Sequence, residues 1–179
     1  KTKYGFSGMN AVGREIVIDG VNEAGLYLGC FYFSGFASYD TLTVENQSKA
    51  VSSEEMGNFI LGSFKTVDEV IAGLKTITLV GSFIEDIQGE APFHYAVTDA
   101  TGRSVVVEYT KKGLQVFENT VNVICNSPTY DWHLTNLRNY VNLTPNNSEG
   151  FSLNNNEYTA LGEGTGMLGL PGDYTSPSR

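Results

Sequence analysis

The stretch Val121-Asn122-Val123-Ile124-Cys125-Asn126-Ser127-Pro128-Thr129-Tyr130-Asp131-Trp132-His133 decides how the chain is read. It opens as an apolar, β-branched run, which predicts a strand over residues 121–125 with at least one buried face. Pro128 has no N–H to give a ladder, so the strand must end before it, with the polar Asn126-Ser127 pair at the turn. Beyond the turn, Leu134, Leu137, Tyr140 and Val141 recur at helical spacing and predict a helix over residues 130–143. An Asn at the mouth of a strand can aim its amide N–H at negative charge developing on a substrate. On spacing alone, the plainer reading of Asn126 is a turn-former.

Upstream, residues 94–98, 104–109 and 114–118 are further short strand-like runs. Asp99-Ala100-Thr101-Gly102 and Lys111-Lys112-Gly113 join them as hairpin turns by composition, so an antiparallel meander leads into Asn126. Earlier still, residues 14–19 alternate around Ile16 and Ile18. Asn22-Glu23-Ala24-Gly25 reads as a tight turn with Gly25 free to take positive φ, and residues 26–33 as a second, deeply buried strand. Between these strand groups, Ser52 and Glu55 have the spacing of a capping box opening a helix with Met56, Phe59, Ile60 and Phe64. Thr66 and Glu69 repeat the device before Val67, Val70, Ile71 and Leu74. Residues 34–49 and 144–156 read as loops, and residues 78–91 as an excursion or substrate loop ended by Pro92.

Helices in series among antiparallel strands define an α+β protein, though composition alone does not choose among such folds. At 179 residues one core suffices, and a single domain over residues 1–179 is expected. The net charge of −9 with 11 Lys plus Arg argues against a nucleic-acid surface. No apolar run is long enough to span a membrane and no secretory leader is visible, so the expectation is a cytoplasmic protein with no membrane partner. Cys30 and Cys125 sit in apolar runs and read as buried free thiols. With His94 and His133 isolated, no metal-ligand spacing arises, and neither metal nor cofactor is expected. The five glycines of residues 162–172 lack the Lys-Ser/Thr ending of a phosphate loop and read as a backbone-bending segment.

Asn126-Ser127-Pro128, the following Trp132-His133 and Thr135-Asn136-Leu137-Arg138 resemble the choloylglycine hydrolase family, which includes penicillin V acylases and bile salt hydrolases. Three more stretches resemble it in the same order: Asp19-Gly20-Val21-Asn22-Glu23-Ala24-Gly25-Leu26, Phe31-Tyr32-Phe33, and Gly169-Leu170-Pro171-Gly172-Asp173-Tyr174-Thr175-Ser176-Pro177-Ser178-Arg179. The resemblance implies the four-layer αββα sandwich of N-terminal nucleophile hydrolases. It also implies that this chain is an internal fragment, with a Cys nucleophile upstream of Lys1 and more chain after Arg179.

Residue by residue, the resemblance implies Asn126 as a side-chain oxyanion donor and Tyr32 as the residue whose backbone N–H completes the hole. Arg179 would be the cation beside the nucleophile. Tyr32 falls where penicillin V acylases tend to carry Tyr and bile salt hydrolases Asn, which implies cleavage of the penicillin side-chain amide, with conjugated bile salts as the alternative substrate. Met9, Ala11, Tyr32, Phe83, Ile84 and Ile87 are the expected substrate contacts. The position before the oxyanion Asn is commonly Thr in the family and is Cys125 here. Pairing that thiol with Asp131 and His133 rests on nearness in sequence alone. The family habit of tetramers, together with the long polar segment 139–164, implies a homotetramer. A non-catalytic binding or assembly module remains the alternative of a different class.

Overall fold

The computed structural model describes residues 2–11, 13–85, 88–141, 143 and 149–159. In chain order the elements are β1 (Phe6–Asn10), β2 (Val17–Asn22), β3 (Tyr27–Tyr32), β4 (Ala50–Ser52), α1 (Met56–Ser63), α2 (Val67–Leu74) and β5 (Thr78–Val80). They continue as β6 (Phe83–Ile84), β7 (Gly89–Glu90), β8 (Phe93–Thr98), β9 (Ser104–Thr110), β10 (Gly113–Glu118), α3 (Tyr130–Asn136), β11 (Phe151–Leu153) and β12 (Asn156–Tyr158). After Tyr130 the chain divides into two compact units.

The first unit holds a six-stranded antiparallel sheet, in the order β1-β2-β3-β8-β9-β10. Side chains alternate across it. Leu26 and Leu28, with Tyr95, Val97, Val105 and Val107, face Met56, Ile60 and Leu61 of α1 and Val67, Val70 and Leu74 of α2 to form the core. Alternation therefore turns His94, Ala96, Val106 and Glu108 toward the other face, where all four are buried as well. The β2–β3 turn forms as the sequence predicts, with Gly25 at φ +82°. Asn22 links it to α1: its Nδ2 donates to the carbonyls of Leu61 (2.9 Å) and Phe64 (2.7 Å), and its Oδ1 accepts from the N–H groups of Ala24 (3.1 Å) and Leu26 (2.9 Å). α1 lies so close over β2 that a Cβ on Gly57 would collide with the Val17 carbonyl oxygen.

The two expected capping boxes fare differently. At α2, Thr66 Oγ1 accepts from Glu69 N–H (3.2 Å), and Glu69 Oε2 reaches back to accept from Lys65 N–H (2.9 Å). At the first helix no such box forms. Ser52 belongs to β4, paired in parallel with β5, and a 3-10 turn over Ser53–Glu55 precedes α1. Glu55 Oε2 instead accepts from Asn58 Nδ2 at 3.1 Å. The expected excursion after residue 77 is partly ordered into β5 and the short β6–β7 hairpin.

The strand expected over residues 121–125 does not form. Asn122 takes φ +54°, its N–H bonds back to the Asn119 carbonyl, and Val121, Val123 and Cys125 are exposed. Cys125 is thus an exposed free thiol rather than a buried one, while Cys30 is free and half-buried. In the second unit, the helix expected over residues 130–143 is α3 followed by a 3-10 turn, Leu137–Tyr140. The loop expected over 144–156 contains a hairpin, β11–β12, turned by Asn154 and Asn155 at φ +50° and +64°. None of the described helices is long and apolar enough to cross a membrane.

Candidate active site

Tyr32 closes β3, and Asn126 arrives beside it from 94 residues further along the chain. Tyr32 N–H donates to Asn126 Oδ1 at 3.0 Å. The next residue completes the seam: Ser127 N–H donates to the Tyr32 carbonyl (2.9 Å), and Ser127 Oγ donates to the Ser34 carbonyl (2.9 Å). The Ser127–Pro128 peptide is cis. Three bonds therefore hold residues 126–127 against the strand end, doing the work of the ladder that residues 121–125 do not make.

The turn is also held at its far end. Tyr130 N–H donates to Glu108 Oε1 (2.8 Å) and Tyr130 Oη donates to Asn119 Oδ1 (3.0 Å), with its ring 5.8 Å from that of Phe117. An Asn amide and a backbone N–H thus meet at the exposed end of β3, each on an anchored backbone. Both are groups that can donate to an oxygen acquiring charge. In the state described, the Tyr32 N–H is engaged by Asn126 Oδ1, which an acceptor entering the site would have to replace.

The structure brings together two of the residues expected from the sequence, Tyr32 and Asn126. Tyr32 is 52% exposed, and its ring tilts against that of Phe93 at 5.8 Å. Met9, also exposed, pairs with Asp19, which pairs with Gly29. It therefore lies two strands across from β3 and three residues short of Tyr32, about 10 Å in each direction. Ala11 is half-buried. Phe83 is open to solvent, but its neighbour Ile84 is 2% exposed, so Ile84 packs into the interior instead of offering a contact surface. Ile87 and Arg179 lie outside the described residues, as do the glycines of residues 162–172.

Cys30 is not poised as a nucleophile by its surroundings. Burial, and then the Asp19 carboxylate, push the Cys30 thiol up to about 12, which keeps it protonated. Among the described residues no group of His, Cys, Asp and Glu side chains is arranged to hold a metal ion. Sequence reasoning missed Ser127, Glu108 and Tyr130, whose bonds fix the turn. A glutamate inside the apolar run of residues 104–110 was the available signal.

Residues 1–179 match the family described as linear amide C–N hydrolases, choloylglycine hydrolase family. A protein of Clostridium perfringens named bile salt hydrolase/transferase is 38% identical over 180 residues, covering 99% of this chain and 54% of its own length. A crystal structure of a conjugated bile acid hydrolase variant from the same organism superposes with a TM-score of 0.81 at 37% identity, again over 99% of this chain and 54% of the other. A penicillin V acylase of Pectobacterium atrosepticum is 31% identical over 127 residues, 69% of this chain and 33% of its own. The chain therefore spans about half the length of the first two. The fold is α+β, of the N-terminal nucleophile hydrolase type.

Proposed function

The chain belongs to the choloylglycine hydrolase family of linear amide C–N hydrolases, and from that premise we propose that the full-length protein hydrolyses the amide of a conjugated bile salt, releasing glycine or taurine. The observation that carries the reaction type is the 3.0 Å contact between Tyr32 N–H and Asn126 Oδ1, which puts the Asn126 amide beside that N–H and supports reading the two as oxyanion donors. The substrate class is supported by greater identity, over more of the chain, to the relative named bile salt hydrolase/transferase than to the penicillin V acylase.

In this reading the nucleophile is a Cys at the mature N-terminus, supplied by chain upstream of Lys1. Its own α-amine, titrating near 7.7–8.0 in a typical chain, takes the thiol proton. The thiolate attacks the amide carbon, and the carbonyl oxygen gathers the charge. That oxygen takes over the Tyr32 N–H from Asn126 Oδ1. The amide turns about its terminal torsion, a soft two-fold rotation, and presents Nδ2 as the second donor. The amine leaves with the proton, and water hydrolyses the thioester. Arg179 beside the thiol would favour the thiolate. Met9, Ala11, Phe83 and Ile87 are the proposed walls for the acyl group.

A second reading, hydrolysis of the penicillin V side chain, is favoured by one feature. The exposed Tyr32 ring beside Phe93 offers an aromatic shelf to a phenoxy group. Incubating the full-length protein with glycocholate and with penicillin V separates the two, and faster release of free glycine is expected. Preference for penicillin V would return the choice to Tyr32. Turnover of neither, with no Cys after the initiating Met, would leave a binding or assembly module.

For the intact protein we further propose a homotetramer. Its support is the β11–β12 hairpin, which leaves Phe151, Leu153 and Tyr158 exposed although so small a sheet is marginal alone. Light scattering that returned a stable monomer would overturn it.

A further inference from the structure

His94 on β8 and Glu108 on β9 are each 0% exposed and lie on the sheet face turned away from α1 and α2. Burying two ionisable groups in a sheet carries a desolvation penalty, and an apolar pair of the same size would serve packing better. The penalty is not fully offset, since neither His94 Nε2 nor Glu108 Oε2 has a hydrogen-bond partner among the described residues. A local rule broken inside a core points to a role other than packing.

The contacts of the pair say what that role is. Glu108 Oε1 accepts the Tyr130 N–H at 2.8 Å and lies 3.3 Å from His94 Nδ1. The His94 ring stacks flat on Phe33, with centroids 4.4 Å apart and planes 5° from parallel. Phe33 follows Tyr32 directly, and Tyr130 is four residues beyond Asn126. One buried pair therefore touches both arms of the candidate oxyanion hole, the strand end that supplies a backbone N–H and the turn that supplies an amide.

We propose that His94 and Glu108 are positioning residues that hold Tyr32 and Asn126 in register with each other, a role that rests on the oxyanion reading given above. Ser127 fixes the near end of the turn, and the Glu108–Tyr130 bond stops its far end from sliding along the sheet. Without that bond the backbone on either side of Pro128 can relax and carry the Asn126 amide away from Tyr32. A displacement of about 1 Å at a reacting centre can lower the rate roughly a hundredfold.

The test is a set of variants of the full-length enzyme, with kcat and KM measured on whichever amide it turns over faster. Glu108→Leu keeps the bulk and loses the acceptor, and should lower kcat by about 10- to 100-fold while changing KM by less than about twofold. Glu108→Gln restores an acceptor for the Tyr130 N–H and should recover most of the loss. Asn126→Ala should lower kcat by about 10²–10³. In the Asn126→Ala background Glu108→Leu should have no further effect, because the group it positions is gone. His94→Phe keeps the stack on Phe33 without the Nδ1 contact. It should show a smaller loss of kcat with the same dependence on Asn126, and it carries the test if Glu108→Leu does not fold. Multiplying effects of Glu108→Leu and Asn126→Ala would overturn the proposal. So would normal kcat in Glu108→Leu, a well-folded Glu108→Gln as slow as Glu108→Leu, or failure of both Glu108→Leu and His94→Phe to fold. Near-normal kcat in Asn126→Ala would instead remove the oxyanion reading, and this proposal with it.

Discussion

Asn22 is the residue whose replacement should damage the fold most for its size. Its side chain is buried, at 4% residue exposure, and makes four bonds. Two go to the carbonyls of Leu61 and Phe64 at the end of α1, which have no donor within the helix. Asn22→Ala strips all four. At about 0.5–1.5 kcal/mol net per bond the loss is about 2–6 kcal/mol, and the buried partners left bare favour the upper half of that range. Against a typical total of about 5–15 kcal/mol this should be plain in urea and thermal melts of the full-length protein. Asn22→Asp tests the direction of the bonds. It keeps the acceptor toward Ala24 and Leu26 but places an unprotonated oxygen against two carbonyls, so at neutral pH it should cost at least as much as Ala. Its folded pKa must then lie above the unfolded value of about 3.9. The penalty is therefore full above the folded pKa, shrinks as pH falls through it, and levels off below about 3.9. A loss under about 1 kcal/mol in Asn22→Ala, or a penalty in Asn22→Asp that fails to ease with acid, would refute the assignment of these bonds.

Three further outcomes are expected. Iodoacetamide should label the exposed Cys125 in the native protein and leave Cys30, half-buried and kept protonated by its surroundings, unmodified, as mass spectrometry would show. The Thr101 hydroxyl, and then the Val67 N–H, hold the Asp99 carboxyl below its ordinary value. Its contribution is thus fully present above about 3.9 and lost as pH falls through the lowered value, so Asp99→Ala should be less stable at neutral pH and lose less on acidification. Parallel acid profiles of the two proteins in urea titrations would contradict this. Gly57→Ala should destabilise by about 1–3 kcal/mol, because its methyl meets the Val17 carbonyl and α1 must lift from β2. An unchanged melting temperature would show that the helix can shift freely.

Where the sequence reported local chemistry it was read well. The Asn22–Gly25 turn, the Thr66 cap on Glu69 N–H and the strands around Gly102 and Gly113 form as expected, since each depends on residues a few positions apart. The Ser52 box fails because residue 52 is drawn into a parallel pair with Val80, a partner 28 positions away that no local pattern names. Residues 121–125 fail for a related reason. A β-branched run states which side chains favour burial but not which neighbour will bury them, and Asn122 tolerates the left-handed turn that breaks the extension.

The candidate site was legible only through its motif, and the physics explains why. Tyr32 would act through a backbone N–H, which every residue except proline possesses, so no side-chain pattern can report it. Asn126 has the right chemistry at a turn, yet a turn is where Asn belongs on conformational grounds alone. What distinguishes the two residues is their meeting, and that depends on bonds from Ser127 and Glu108 to backbone atoms far away in sequence. Glu108 was nonetheless visible as a fault in a pattern. The run Val105-Val106-Val107-Glu108-Tyr109 is buried on both faces of the sheet, where an unpaired carboxylate would not be tolerated. Such a residue demands a donor, and the Tyr130 N–H at the start of α3 supplies one. The polar residue that looks misplaced in its own strand is thus the one that holds the far end of the turn carrying Asn126.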